Sequence, residues 1–182
     1  ALLQACEFDE LGRAALRDGL LSPRWGPDFS VIPSAEKPFM RFDPIRVGES
    51  IDIDGRKVVP LPANHTVPAV GYQLDSGHAS LVFTGDTGPC PELWKYVNAI
   101  RNLRYLIIEC AFSDREKRLA EASLHLCPSM LLEELANLQR DADIFITHLK
   151  PGQIELTMQE IEDCIGNEFR PGMLQNNQLF EF

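Results

Sequence analysis

The sequence predicts an α/β fold built on a mixed sheet. Two observations carry this: strand patterns crowd the first half of the chain, and beyond Asp86 strands alternate with amphipathic helices. At 182 residues and 45% apolar, the chain can bury a core of its own, and one domain over residues 1–182 is expected.

The elements follow in order. Glu7 to Gly19 reads as a short helix with Phe8, Leu11, Ala15 and Leu16 on one face, and a Pro-rich loop, Ser22 to Phe29, follows it. Ile51-Asp52-Ile53 and Lys57-Val58-Val59 flank Asp54-Gly55, a strong hairpin signal. Tyr72-Gln73-Leu74 and Ser80 to Phe83 form a second pair around Asp75 to His78. Pro91 to Leu103 reads as a helix with proline near its start. Leu106-Ile107-Ile108 is a buried strand. A polar stretch, a helix from Pro128 to Leu138, a strand at 143–147 and a helix from Thr157 to Ile165 come next. Gly172–Gln175 and Gln178–Phe182 read as a closing hairpin across Asn176-Asn177.

Charge excludes one class of partner. The net charge is −10 and no basic stripe exists, so extended nucleic acid is a poor candidate. No apolar run is long enough to span a membrane and no signal-peptide pattern opens the chain, so a cytoplasmic protein is expected. The five cysteines (6, 90, 110, 127 and 164) form no CxxC pair and read as reduced, mostly buried thiols.

Of the four histidines, His65 and His148 stand where strands should end, before turn chemistry. Asp86 lies between two glycines in Thr84-Gly85-Asp86-Thr87-Gly88. Side chains at strand ends meet on one rim of a sheet, where α/β proteins build their sites. Two His and one Asp so placed suit Zn, Mn or Fe. Singly, each residue has an ordinary reading: a turn histidine, a helix cap, a loop residue.

Together these motifs resemble the metallo-β-lactamase-fold hydrolases, in order and in context. The quoted segments are His65 after its strand, Val82 to Gly88 around Asp86, and Thr147-His148-Leu149-Lys150-Pro151. The resemblance covers about residues 40–182 and implies an αββα sandwich with mixed sheets. Within the family, Pro68-Ala69-Val70-Gly71-Tyr72, Leu106 to Phe112, Ser123-Leu124-His125-Leu126 and Trp25 to Phe29 look like class II cyclic-nucleotide phosphodiesterases.

That resemblance implies two divalent metal ions, zinc first with Mn or Fe as alternatives, held in part by His65, Asp86 and His148. It implies hydrolysis of a small-molecule phosphodiester, 3',5'-cyclic AMP or a related cyclic nucleotide, by a metal-bound hydroxide. His125 is the candidate proton donor, or else a helix-start residue beside Pro128. Glu109, at a strand end, orients His125 or a ligand, or pairs with a nearby cation. Cys110 and Cys127 read as packing thiols with a zinc role open. Trp25 and Phe29 could stack on a purine or close over the core. His78 has no assigned role.

One departure is large. The family's first motif, His-x-His-x-Asp-His, is absent, so the chain reads as N-terminally incomplete, without the first strands and their ligands. Uncovered sheet edges would then favour association, and a homodimer is one form of it. Two other readings stand: a different hydrolase of the same fold (thioester, lactone, β-lactam or RNA), and a fragment or binding module that catalyses nothing as it stands.

Overall fold

The computed structural model describes residues 33–34, 36–38 and 44–182. The expected helix at 7–19, the Trp25–Phe29 loop and Cys6 lie outside them. A short antiparallel pair, β1 (Pro33–Ser34) and β2 (Lys37–Pro38), stands apart from the main sheet. The main sheet opens with the hairpin of β3 (Ile51–Ile53) and β4 (Arg56–Pro62). Asp54 and Gly55 both take positive φ, 52° and 78°, as a two-residue turn matched to strand twist requires.

Next come β5 (Val70–Asp75), β6 (Ser80–Phe83), β7 (Leu103–Glu109), β8 (Asp143–Thr147) and β9 (Gly172–Met173). The seven strands stand in sequence order, antiparallel from β3 to β6 and parallel from β6 to β9. Parallel neighbours need helical crossovers. These are α1 (Pro91–Ala99), the pair α2 (Lys117–Ser123) and α3 (Pro128–Leu135), and α4 (Ile154–Ile165).

The strand register fixes two faces. Val82, Leu106 and Ile144 lie side by side, as do Ile108 and Ile146, and these pack in one cluster with Leu93 and Val97 of α1, Leu131 and Leu135 of α3, and Ile161 and Ile165 of α4. All three crossovers therefore cover that face. Fully burying each such side chain stabilises by roughly 1.5–3 kcal/mol. The opposite face carries Phe83, Tyr105, Ile107 and Phe145, and the C-terminal Phe180 packs on Tyr105 and Phe145 at 5.0 and 5.1 Å. The described residues thus supply one sheet and its helix layer, half of the expected four-layer sandwich.

Several sequence expectations need correction. The first crossover helix stops at Ala99: Ile100 turns to extended backbone, and Leu103 already belongs to β7. The last crossover helix begins three residues before Thr157, and α3 ends at Leu135 rather than Leu138. The polar stretch after β7 contains α2, in which only Ala120 is buried. The closing hairpin does not form. Asn177 does turn with φ of 60°, but among the described residues only Gly172–Met173 pairs, alongside β8. Phe180 and Phe182 instead lay their rings against Tyr105. No helix among the described residues is long and apolar enough to cross a membrane.

Candidate functional site

Strand direction brings the sequence candidates together. β4 runs antiparallel to β5, and β5 to β6, so β4 points the same way as β6, β7 and β8. The C-terminal ends of β4, β6, β7 and β8 then share one rim, and they deliver His65, Asp86, Glu109 and His148 respectively. His125 reaches the same place from the segment between α2 and α3. Its ring centroid lies 4.8 Å from that of His65 and 5.1 Å from that of His148, stacked on the latter at 15°. Only His78 stands apart, exposed in the β5–β6 turn.

Glu109 is the hub. Its side chain is wholly buried, and its carboxylate accepts four hydrogen bonds. Oε1 takes the Thr87 N–H at 3.0 Å and His125 Nδ1 at 2.6 Å; Oε2 takes the N–H groups of Ala111 at 3.0 Å and Leu126 at 3.3 Å. A buried carboxylate so satisfied is a rigid anchor, whereas an unpaired one would be expelled or protonated. The bond to Nδ1 sets the imidazole's orientation and leaves Nε2 on the far side of the ring, free of protein partners among the described residues. Glu109 bonds to His125, and no lysine or arginine pairs with it among the described residues.

The loop bearing Asp86 is held by backbone that tolerates no side chain. Gly85 has φ of 66°, and a Cβ there would meet the Val70 carbonyl oxygen at 2.9 Å. A Cβ on Gly88 would stand 3.2 Å from the Leu124 backbone, just before His125. Asn64 ties this loop to His65: its N–H donates to Thr87 Oγ1 at 2.9 Å, its Nδ2 to the Pro89 carbonyl at 2.9 Å, and its carbonyl accepts the Gly88 N–H at 2.8 Å. Asn64 and Thr87 escaped the sequence reading. The available signal was their position, each beside a candidate ligand.

Two residues here sit in left-handed backbone despite carrying side chains, Leu124 (φ 54°) and His148 (φ 64°). Such conformations cost of order 1–3 kcal/mol and cluster at functional sites. His65 Nδ1 donates to the Leu124 carbonyl at 3.2 Å, which leaves its Nε2 as the lone-pair nitrogen. His148 Nδ1 lies 3.4 Å from Asp86 Oδ1, with both side chains about a third exposed (36% and 34%). The site therefore grades from a buried hub through His125 to an accessible outer set.

The outer set offers imidazole nitrogen and carboxylate oxygen, which suit Zn, Mn or Fe. The 3.4 Å between His148 Nδ1 and Asp86 Oδ1 matches the separation of two donors, each about 2.0–2.1 Å from one tetrahedral ion. Among the described residues, no group of three or more His, Cys, Asp or Glu side chains stands ready to enclose an ion. The donors fit part of a metal shell and do not complete it.

The cysteines near the hub are packing groups. Cys110 and Cys127 are fully buried, and burial pushes both thiols up, reinforced at Cys110 by the Glu109 charge. Cys110 Sγ donates to the Phe112 carbonyl. Cys90 is buried as well, and Cys164 is exposed, so the described thiols are mostly buried as expected. An open cleft of about 530 Å³ lined by Gln73, Tyr96, Arg101 and Asn102 lies at the opposite ends of these strands, away from the histidines.

The sequence pattern of the Beta-lactamase superfamily domain matches residues 21–149, more than half of the chain. No curated protein matches it. Solved structures share its fold. The metallo-β-lactamase fold protein YhfI of Bacillus subtilis is 16% identical with a TM-score of 0.62, over 76% of this chain and 55% of its own. A diphosphatase of the PhnP family is 14% identical with a TM-score of 0.59, over 96% and 56%. The short form of human tRNase Z is 16% identical with a TM-score of 0.52, over 72% and 45%. The chain spans about half the length of each.

Proposed function

Because the chain belongs to the β-lactamase superfamily and has the metallo-β-lactamase fold, we propose that it is a metal-dependent hydrolase of phosphodiesters. The substrate class is a small 3',5'-cyclic nucleotide such as cyclic AMP. The observation that carries this reading is the Glu109–His125 pair set between His65 and His148. A carboxylate-oriented imidazole is the group that phosphodiester cleavage needs for its leaving alkoxide. A diphosphatase and a tRNase Z among the structures of like fold agree with phosphate-ester chemistry.

In this reading His65, Asp86 and His148 contribute ligands to two divalent ions, zinc first. Such ions lower the pKa of water toward neutrality and offset phosphoryl charge. The chain's own residues do the rest. Asn64 and Glu109 hold the His65 and Asp86 loops in register through Thr87 and Gly88. Glu109 keeps Nδ1 of His125 occupied, so that Nε2 is the atom that delivers a proton to the departing oxygen. General-acid help of this kind is worth about 10²–10⁴ in rate.

The test is a substrate panel on the metal-loaded protein: cyclic AMP and bis(p-nitrophenyl) phosphate against a thioester, a lactone and a β-lactam. Phosphodiesters should be hydrolysed preferentially, and His125→Ala should depress that activity at unchanged metal content. A preference for any acyl substrate sinks the phosphodiesterase reading.

A further inference from the structure

In a chain of net charge −10, an unpaired cation beside the site calls for an explanation. Lys150 is that cation. It stands two residues past His148, in the turn closed by the Gln153 N–H on its carbonyl at 3.1 Å. Its ammonium lies 4.8 Å from the centroid of the Phe112 ring, and the Phe112 ring lies 5.8 Å from that of His125. Arg46 pairs with Glu49, Lys95 with Glu92, and Lys117 donates to Ser129; what sets Lys150 apart from the other cations without an ion pair is its place, two residues past His148 and over the Phe112 ring. Lys150 makes no ion pair among the described residues and is half-buried.

The perch itself is fixed. Phe112 is buried, its N–H donates to the Leu126 carbonyl at 3.3 Å, and its neighbour Ala111 donates to Glu109. The ring that carries the ammonium is thus mounted on the hub that orients His125. An ammonium over an aromatic face keeps its charge unneutralised while its position is restrained. A carboxylate in the same place would have cancelled it.

We propose that Lys150 is the anion-recognising residue of this site. Its ammonium, held over Phe112, takes a non-reacting oxygen of a phosphate ester and selects anionic phosphate esters over neutral esters. This rests on the hydrolase reading above for the identity of the site, and deepens it by naming the charge that the substrate must carry.

The test compares Lys150→Gln and Lys150→Arg with the parent protein, metal-loaded, by two readouts. The first is the dissociation constant of inorganic phosphate, titrated by ³¹P NMR, which needs no turnover. The second is the ratio of kcat/KM for bis(p-nitrophenyl) phosphate to that for p-nitrophenyl acetate. Lys150→Gln should weaken phosphate about tenfold or more and lower the ratio by a similar factor, mainly through KM, as loss of a partly screened charge contact requires. Lys150→Arg should restore both to within about threefold, because the charge returns. Phosphate affinity in Lys150→Gln within twofold of the parent would overturn the proposal. If neither ester is hydrolysed, the hydrolase reading fails, and the phosphate titration alone decides the role of Lys150.

Discussion

Glu109→Gln is the most informative single change, because it keeps shape and removes one acceptor. The carboxylate accepts four donors, two on each oxygen. The glutamine carbonyl can serve one pair. Its better placement is on the Ala111 and Leu126 N–H groups, whose loss would leave two buried backbone donors unmet. The amide NH₂ then faces the Thr87 N–H and His125 Nδ1. The Thr87 N–H becomes a buried orphan at about 1–3 kcal/mol. His125 can accept from the NH₂ only as the neutral tautomer with its proton on Nε2, a far weaker acid, and the imidazolium that would give up that proton loses its carboxylate partner. The expected outcome is a folded protein less stable by about 1–3 kcal/mol. Its hydrolytic rate should fall by about 10²–10⁴ if Nε2 is the proton donor. Urea denaturation gives the first figure; kcat at saturating substrate, with metal content checked, gives the second. A variant that is folded and metal-loaded with kcat within about threefold of the parent would refute the role given to the pair.

Two further outcomes follow from local geometry and charge. Gly85→Ala places a Cβ 2.9 Å from the Val70 carbonyl oxygen at φ of 66°. Left-handed backbone costs about 1–2 kcal/mol and overpacking about 1–3, so denaturant midpoints should report a loss of about 2–5 kcal/mol. Parent-like stability would contradict the close packing of this loop. Asp114 gives a pH dependence. Burial opposes its ionisation, but hydrogen bonds from the Cys127 thiol and from the Ser129 N–H (3.0 Å) and hydroxyl, with Lys117 nearby, outweigh it and hold the carboxyl below the usual range. A folded value below the unfolded one of about 3.9 makes the carboxylate stabilising above about pH 4, and that contribution is lost as pH falls through the folded value. Asp114→Asn should therefore flatten the acid limb of a stability–pH curve measured by urea denaturation. Equal slopes in both proteins would remove Asp114 from the account.

How much was legible in the sequence depended on whether a signal was local. Asp54-Gly55 announced its hairpin because a two-residue primed turn is a property of those residues alone. His65, Asp86, Glu109 and His148 were legible as strand-end residues, and parallel strand directions then brought them to one rim. The first crossover helix was read too long because Ile100 and Leu103 continue the apolar period while belonging to a helix end and a strand start in one core. α2 was missed because a helix with only Ala120 buried has no apolar period to find. The C-terminal alternation Leu179–Phe182 mimics a strand, yet its Phe180 and Phe182 face Tyr105 through tertiary packing that no period-two pattern encodes. The hub itself was out of reach: nothing in the sequence shows that Glu109 gathers N–H groups from residues 87, 111 and 126.

The central claim is that His65, Asp86 and His148 hold metal for hydrolysis. The direct measurement is divalent metal per protein by plasma mass spectrometry, with intact mass, on the parent and on Asp86→Asn and His148→Ala. Bound divalent metal is expected in the parent, with a clear loss in both variants. No metal in the parent, or metal content unchanged in the variants, would contradict it.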